Sequence, residues 1–291
     1  MTTSTSQFQE VSFPLDHLGL TLAAKDWHSH NHKETIIMLH GWLDNANSFD
    51  LLVPHLKDYR CICLDLPGHG NSQHLSIQGS YDFLHGCEVL LGVLDHLQLK
   101  KYHLLGHSLG ACIISMVAGF LESPPLASVF LVEGLGPFSK TEDELPEQFL
   151  KHVKEKKKAP SAWRSKYPTK EPMIQHRQVV NKIPAHGAKC LIERGVEKKG
   201  EDYRWKSDPR LLLPSRFYMT EAQVLKFLEN NQAPTCYLSG NKGMFKDSEI
   251  LETRKKKISH LQNYELEGHH HLHLENPHKV AQLIKDYYQS L

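Results

Sequence analysis

Ser108 lies in the pentapeptide Gly106-His107-Ser108-Leu109-Gly110, with an apolar stretch on either side. A serine hydroxyl is a weak nucleophile, so it must be lifted clear of the backbone and brought to a base. The G-x-S-x-G spacing between a strand and a helix does the lifting. Its turn is sharp, and glycine at both ends avoids the clash a Cβ would make. The following helix aims free N-terminal amides at the same spot, where negative charge can be held. Three further loops with polar or glycine-rich content follow apolar runs: at His40, at Glu133 and around His270.

These loops meet only if the runs before them are strands of one sheet. Residues 35–39 form a short, almost wholly apolar run, the composition of a strand covered on both faces. Residues 59–66, 103–105, 128–132, 235–239 and 263–266 read as further strands. Helical spacing predicts helices over 48–56, 81–97, 109–120, 221–228, 248–257 and 277–288. This alternation predicts an α/β fold with a mostly parallel, doubly wound sheet. Ligands in such sheets bind beyond the carboxyl ends of the strands, where the four loops would converge. Residues 9–13 and 18–27 predict an opening antiparallel pair, and residues 1–8 a loose tail.

The character of the chain changes over 138–218, which is charged, proline-spaced and without apolar strand runs. This predicts a helical cap inserted into a core made of 1–137 and 219–291. The basic cluster at 151–158 reads as a solvated helix face.

Composition narrows the partners. The chain has 291 residues, 40% of them apolar, and a net charge of +1. That is enough for a sizeable core but gives no field that would draw nucleic acid. No apolar run approaches a membrane span, and the first residues lack a basic and then apolar leader, so a cytoplasmic protein is expected. The six cysteines form no C-x-x-C pair and read as buried free thiols. Nothing in the sequence speaks to oligomeric state.

The order of His40-Gly41-Trp42, the Asp65-Leu-Pro-Gly-His-Gly-Asn-Ser72 loop, the elbow and a late histidine resembles the α/β-hydrolase fold superfamily. Within it, His40-Gly-Trp-Leu-Asp-Asn-Ala-Asn-Ser-Phe-Asp50 and Leu266-Glu-Gly-His-His-His-Leu-His-Leu-Glu275 are similar to the serine hydrolase-like proteins. The resemblance covers nearly the whole chain and is loosest over the insertion. It implies an α/β-hydrolase core, a helical cap and a Ser-acid-His triad that needs no cofactor.

On that resemblance Ser108 is the nucleophile; an aspartate there would instead suggest epoxide hydrolase or dehalogenase chemistry. His270 is the expected base among His269, His270, His271 and His273. Close histidines can bind zinc, but no Asp or Cys pattern accompanies them, so no metal is expected. His273 and Glu275 are expected to support the loop. Most relatives carry an aspartate just after the penultimate strand, yet Gly240-Asn-Lys-Gly243 has no acid. Glu133 is the preferred triad acid and Asp247 the alternative. The backbone N–H groups of Trp42 and Leu109 are the expected oxyanion hole. The Trp42 ring and His107 are candidate substrate contacts, with core packing and loop bonding as their respective alternatives. Asp65 reads as a turn brace.

The function expected is that of a carboxylesterase-like serine hydrolase acting on a small or medium acyl substrate. Thioesters, lactones and carbon–carbon bonds remain open as substrates of the same site. A reading from another class, a non-catalytic hydrolase-like protein that binds a small molecule, is favoured by the missing acid after Ser239.

Overall fold

Two antiparallel strands open the chain in a computed structural model that describes residues 8–29, 34–121, 125–160, 163 and 165–291. They are β1 (Phe8–Leu15) and β2 (Leu20–Trp27), paired with Leu15 opposite Leu20. The expected tail, Phe8 apart, lies outside the described residues. Then come β3 (Glu34–Leu39), β4 (Tyr59–Leu64), helix α1 (Phe83–Leu97), β5 (Tyr102–His107), α2 (Leu109–Val117) and β6 (Leu126–Val132). The insertion holds α3 (Leu145–Lys156), α4 (Glu171–Asn181), α5 (Ala185–Gly195) and a hairpin of β7 (Val196–Lys199) and β8 (Asp202–Trp205). The chain closes with α6 (Glu221–Asn230), β9 (Thr235–Gly240), α7 (Glu249–Lys255), β10 (Leu261–Leu266), α8 (Leu272–Glu275) and α9 (Pro277–Gln289).

Eight strands form one sheet in the order β1-β2-β4-β3-β5-β6-β9-β10. The pairs from β4 to β10 are parallel, and β1 and β2 run antiparallel at one edge. This is the α/β-hydrolase topology. The chain goes from β3 to β4 on one side and returns to β5 on the other. The crevice at that reversal, between β3 and β5, is where such sheets bind ligands.

Period-two alternation explains the two layers. Ile37 and Leu39 of β3 point into a core with Leu90 and Val93 of α1 and with Ile113 and Val117 of α2. Ile36 and Met38 point the other way, against Phe49, Leu52, and Ile284 and Tyr287 of α9. A strand buried on both faces must be apolar throughout, which is why β3 was readable. All six cysteines are free, and four of them are buried. No helix among the described residues is long and apolar enough to cross a membrane.

Two expectations change. Residues 48–56 form not one helix but two short 3-10 turns, Ala46–Phe49 and Val53–His55. Pro54, inside the second turn, has no N–H to donate back to residue 50, so one continuous helix would lose that bond. The insertion is mostly helical, but it also carries the β7–β8 hairpin, with Val196 opposite Trp205. In β7 only Val196 is buried, packed on Met173 and Ile192, so no apolar run announces the strand.

The insertion is clamped to the core by charge. Arg194 of α5 donates to Asp65 at 2.8 Å and to both carboxylate oxygens of Glu10 in β1, at 2.6 and 3.0 Å. Asp65 is fully buried and also accepts from the backbone N–H of Ala46 (2.7 Å) and Asn71 (2.8 Å). The turn brace read from the sequence thus holds three segments at once. Removing one partner of a buried pair strands the other charge, so Arg194→Met should lower stability by about 3–5 kcal/mol. Urea unfolding measures this; an unchanged midpoint would show that the Asp65 carboxyl is satisfied without the cap.

Candidate active site

β5 ends and α2 begins at Ser108, whose φ and ψ of 50° and −113° are rare for a residue with a side chain. Such strain persists only where the surroundings over-determine it. Here they do. Ser108 N–H donates to Val132 O (2.9 Å), Cys112 N–H donates to Ser108 O (2.9 Å), and Gly110 N–H donates to His40 O (3.2 Å). A Cβ on Gly106 would lie 2.5 Å from Ala111 N, and one on Gly110 would lie 2.2 Å from Leu39 O. The glycines are needed for close approach, as the spacing implied.

Glu133 ends β6 and is buried, also with positive φ, at 53°. Its carboxylate accepts from Gly240 N–H at 2.7 Å and Met244 N–H at 3.0 Å, and it lies 3.1 Å from His270 Nδ1. The loop after β9, which has no acid in the usual place, instead lends its amides to the acid of the neighbouring strand. Asp247 is exposed and has no bond to an imidazole among the described residues. Because His270 Nδ1 faces a carboxylate, it carries the proton, leaving Nε2 as the atom with a lone pair.

His270 also sits beside the elbow. Its carbonyl accepts from His107 Nε2 at 3.0 Å, one residue from Ser108. The Ser108 hydroxyl makes no hydrogen bond to an imidazole among the described residues, though the two loops adjoin. Phe245 lies 6.2 Å from the His270 ring and Phe138 lies 6.2 Å from Phe245, measured between ring centres. Phe138, Met244 and Trp42 are exposed apolar side chains.

Neither Trp42 nor Leu109 donates a backbone N–H bond among the described residues, so both amides are free to meet an oxyanion. The Trp42 ring is not core: it is 51% exposed, and Nε1 donates to Leu211 O of the insertion at 3.0 Å. Two buried imidazoles shape this loop. His40 donates from Nδ1 to Gly41 O (2.7 Å) and accepts the Leu66 N–H at Nε2 (3.0 Å). His69 donates to Pro67 O (2.9 Å) and accepts the Leu43 N–H (3.1 Å). Only a neutral ring can do both. Burial accordingly lowers His40 to about 4 and His69 to about 3.

Comparison with known proteins shows the family. The alpha/beta hydrolase fold family matches residues 34–162. A serine hydrolase-like protein of Dictyostelium discoideum is 31% identical over 97% of this chain and 82% of its own length. One from Danio rerio is 27% identical over 89% of this chain and 82% of its own. The crystal structure of a hypothetical protein from Pseudomonas aeruginosa superposes with a TM-score of 0.89 at 30% identity, covering 97% of this chain and 99% of that one. The chain belongs to the serine hydrolase-like family of α/β hydrolases.

In this family member the late histidines have a partner that sequence reasoning missed. Asp44, from the loop after β3, is buried with its Oδ2 3.2 Å from His271 Nε2 and 3.7 Å from His107 Nδ1. Arg177 of α4 donates to Asp44 Oδ1 at 3.0 Å and to Leu43 O. Burial pushes the Asp44 carboxyl up, but His271 and Arg177 overcome this and hold it well below the usual carboxylate range. Asp44 carries no signal that sets it apart within its loop, and Arg177 none within the charged insertion.

His107 does not suit the substrate-contact role. Its ring is buried, bonded to the His270 loop, and driven well below the ordinary imidazole range by burial and the neighbouring rings. The loop-bonding alternative describes it better. His273 bonds Ser48 Oγ at 2.8 Å, and Glu275 accepts the His269 N–H at 3.0 Å, so both support the loop.

The buried imidazoles make stability sensitive to acid. Their folded pKa values lie below the unfolded value of 6.5, at about 4 for His40 and about 3 for His69 and His273. Unfolding therefore takes up protons below pH 6.5, and stability that is full above it is lost as the pH falls towards 4. Asp50 and Asp65, whose carboxyls burial raises, oppose this, but the imidazoles outnumber them. Each imidazole contributes a slope of about 1.4 kcal/mol per pH unit. Denaturant midpoints across this window should drop steeply; a flat profile would mean the rings protonate while the chain stays folded.

Proposed function

We propose that the protein is a serine hydrolase that cleaves a small or medium acyl substrate, a carboxylic ester first among them, through an acyl-enzyme. The observation that carries this reading is the 3.1 Å contact of Glu133 with His270 Nδ1, on a loop bonded to the strained elbow of Ser108. His270 Nε2 takes the Ser108 proton as the hydroxyl attacks the acyl carbon. The Trp42 and Leu109 amides hold the tetrahedral oxyanion, and His270 returns the proton to the leaving group. Water then repeats the cycle and releases the acid. Glu133 keeps the imidazole in the right tautomer and stabilises its charged form. The exposed apolar rim of Trp42, Phe138 and Met244 suits an apolar acyl chain. A relative in Drosophila melanogaster, 26% identical, bears the name probable serine hydrolase, which fits this reading.

The second reading, a hydrolase-like binding protein, is favoured by the absence of a Ser108 hydroxyl bond to an imidazole among the described residues. A fluorophosphonate probe separates the two. The folded wild type should label, and Ser108→Ala should not; a folded wild type that does not label favours the binding protein. With p-nitrophenyl esters of graded chain length, Glu133→Gln should cost roughly 10²–10⁴-fold in kcat while Asp247→Asn stays near wild type. The opposite pattern would move the acid to Asp247.

A further inference from the structure

Beneath the elbow, five side chains meet whose protons can be counted. Arg177 can only donate. Its Nη2 goes to Asp44 Oδ1 (3.0 Å), and its Nη1 goes to Asn181 Oδ1 (3.2 Å). The second bond fixes the Asn181 amide with Nδ2 turned towards His271 Nε2, 3.3 Å away. The same His271 Nε2 lies 3.2 Å from Asp44 Oδ2, within hydrogen-bond distance. His107 donates from Nε2 to the His270 carbonyl, so its lone pair is on Nδ1. That Nδ1 is buried and has no hydrogen-bond partner.

Both ring nitrogens face one carboxylate oxygen. Asp44 Oδ2 is 3.2 Å from His271 Nε2 and 3.7 Å from His107 Nδ1, and the three donor atoms lie within 4.8 Å of one another. Three atoms able to ligate a metal converge on one buried point, where the proton of the His271–Asp44 hydrogen bond can give way to a cation. Without a cation at the centre, the His107 Nδ1 lone pair has no partner there.

We propose that Asp44, His107 and His271 form a binding site for a divalent transition metal ion of the Zn²⁺ type. Two imidazole nitrogens and one carboxylate oxygen are zinc donors, whereas Mg²⁺ and Ca²⁺ prefer all-oxygen sets. Zinc–ligand bonds of about 2.0–2.2 Å place tetrahedral ligands a little over 3 Å apart, near the two separations from Asp44, whereas the ligand atoms as a set lie within 4.8 Å, so the imidazoles close on the ion as it binds. Three positions of a tetrahedron are supplied. Arg177 orients the carboxylate from behind, and its charge makes the site weaker than a closed four-ligand one.

The ion would be structural, because all three ligands are buried. It joins the loop after β3, the elbow strand and the loop of His270, with α4 bracing it through Arg177 and Asn181. It also fixes the ring whose Nε2 holds the His270 carbonyl. None of this depends on the hydrolytic reading.

The test uses the full chain, stripped with a chelator and titrated with ZnCl₂ by calorimetry and with CoCl₂ by visible absorption. Wild type should take up one equivalent of zinc, show the intense d–d bands of low-coordinate cobalt and gain Tm with zinc. His271→Gln and Asp44→Asn should lose that equivalent, while His269→Gln, outside the set, should keep it. If the first two fail to fold, the wild-type cobalt spectrum and zinc-dependent Tm still decide. No uptake by wild type at millimolar zinc would show that a proton occupies the junction, and uptake that survives both ligand substitutions would place the ion elsewhere. Either result overturns the proposal.

Discussion

A single buried carboxylate, that of Glu133, organises the carboxyl end of the sheet. It cannot stay ionised away from water without donors. The fold supplies two backbone amides from the loop after β9 and the imidazole of His270. Three consecutive loops at the strand ends are thereby drawn to one point: those after β6, β9 and β10. Gly240 and Met244 serve this carboxylate through their backbone N–H groups. A shorter acid on β6 would reach less far, which gives a physical reason for a glutamate at this place.

A second layer of polar order lies beneath the first. His40, His69, His107 and His273 are all buried, and each pairs a ring nitrogen with a backbone or hydroxyl group. His40 and His69 bond at both ring nitrogens and act as spacers between loops, provided they stay neutral. They help four loops without regular structure hold their positions at the end of the sheet. The scaffold is therefore stiff at neutral pH and vulnerable to acid.

The insertion is part of this order rather than an independent lid. Arg194 reaches Asp65 and Glu10, and Arg177 reaches Asp44 and Leu43. Arg177 enters the loop after β3, beside the elbow strand, and Arg194 enters the loop after β4, one strand further out. Two buried charge pairs of this kind couple the position of the insertion to the shape of these loops. Trp42 adds a third tie through its ring nitrogen to Leu211.

The layered α/β core and the turn at Ser108 were legible in the sequence because each rests on local chemistry. A strand buried on both faces must be apolar in every position, as 36–39 is. A turn as tight as 106–110 must have glycine where backbones touch, and a late histidine next to glycine is a local pattern. The hairpin at 196–205 was hidden because only one residue of its first strand is buried. Glu133 and Asp247 could both be named from sequence, but only the fold shows which carboxylate lies against His270 Nδ1, and that is Glu133. The company of the late histidines was not legible at all: Asp44 meets His271 across 227 residues of chain. Spacing along a chain reports periodicity and turns, whereas the pairing of side chains from different loops depends on strand order, and strand order is a property of the folded sheet alone.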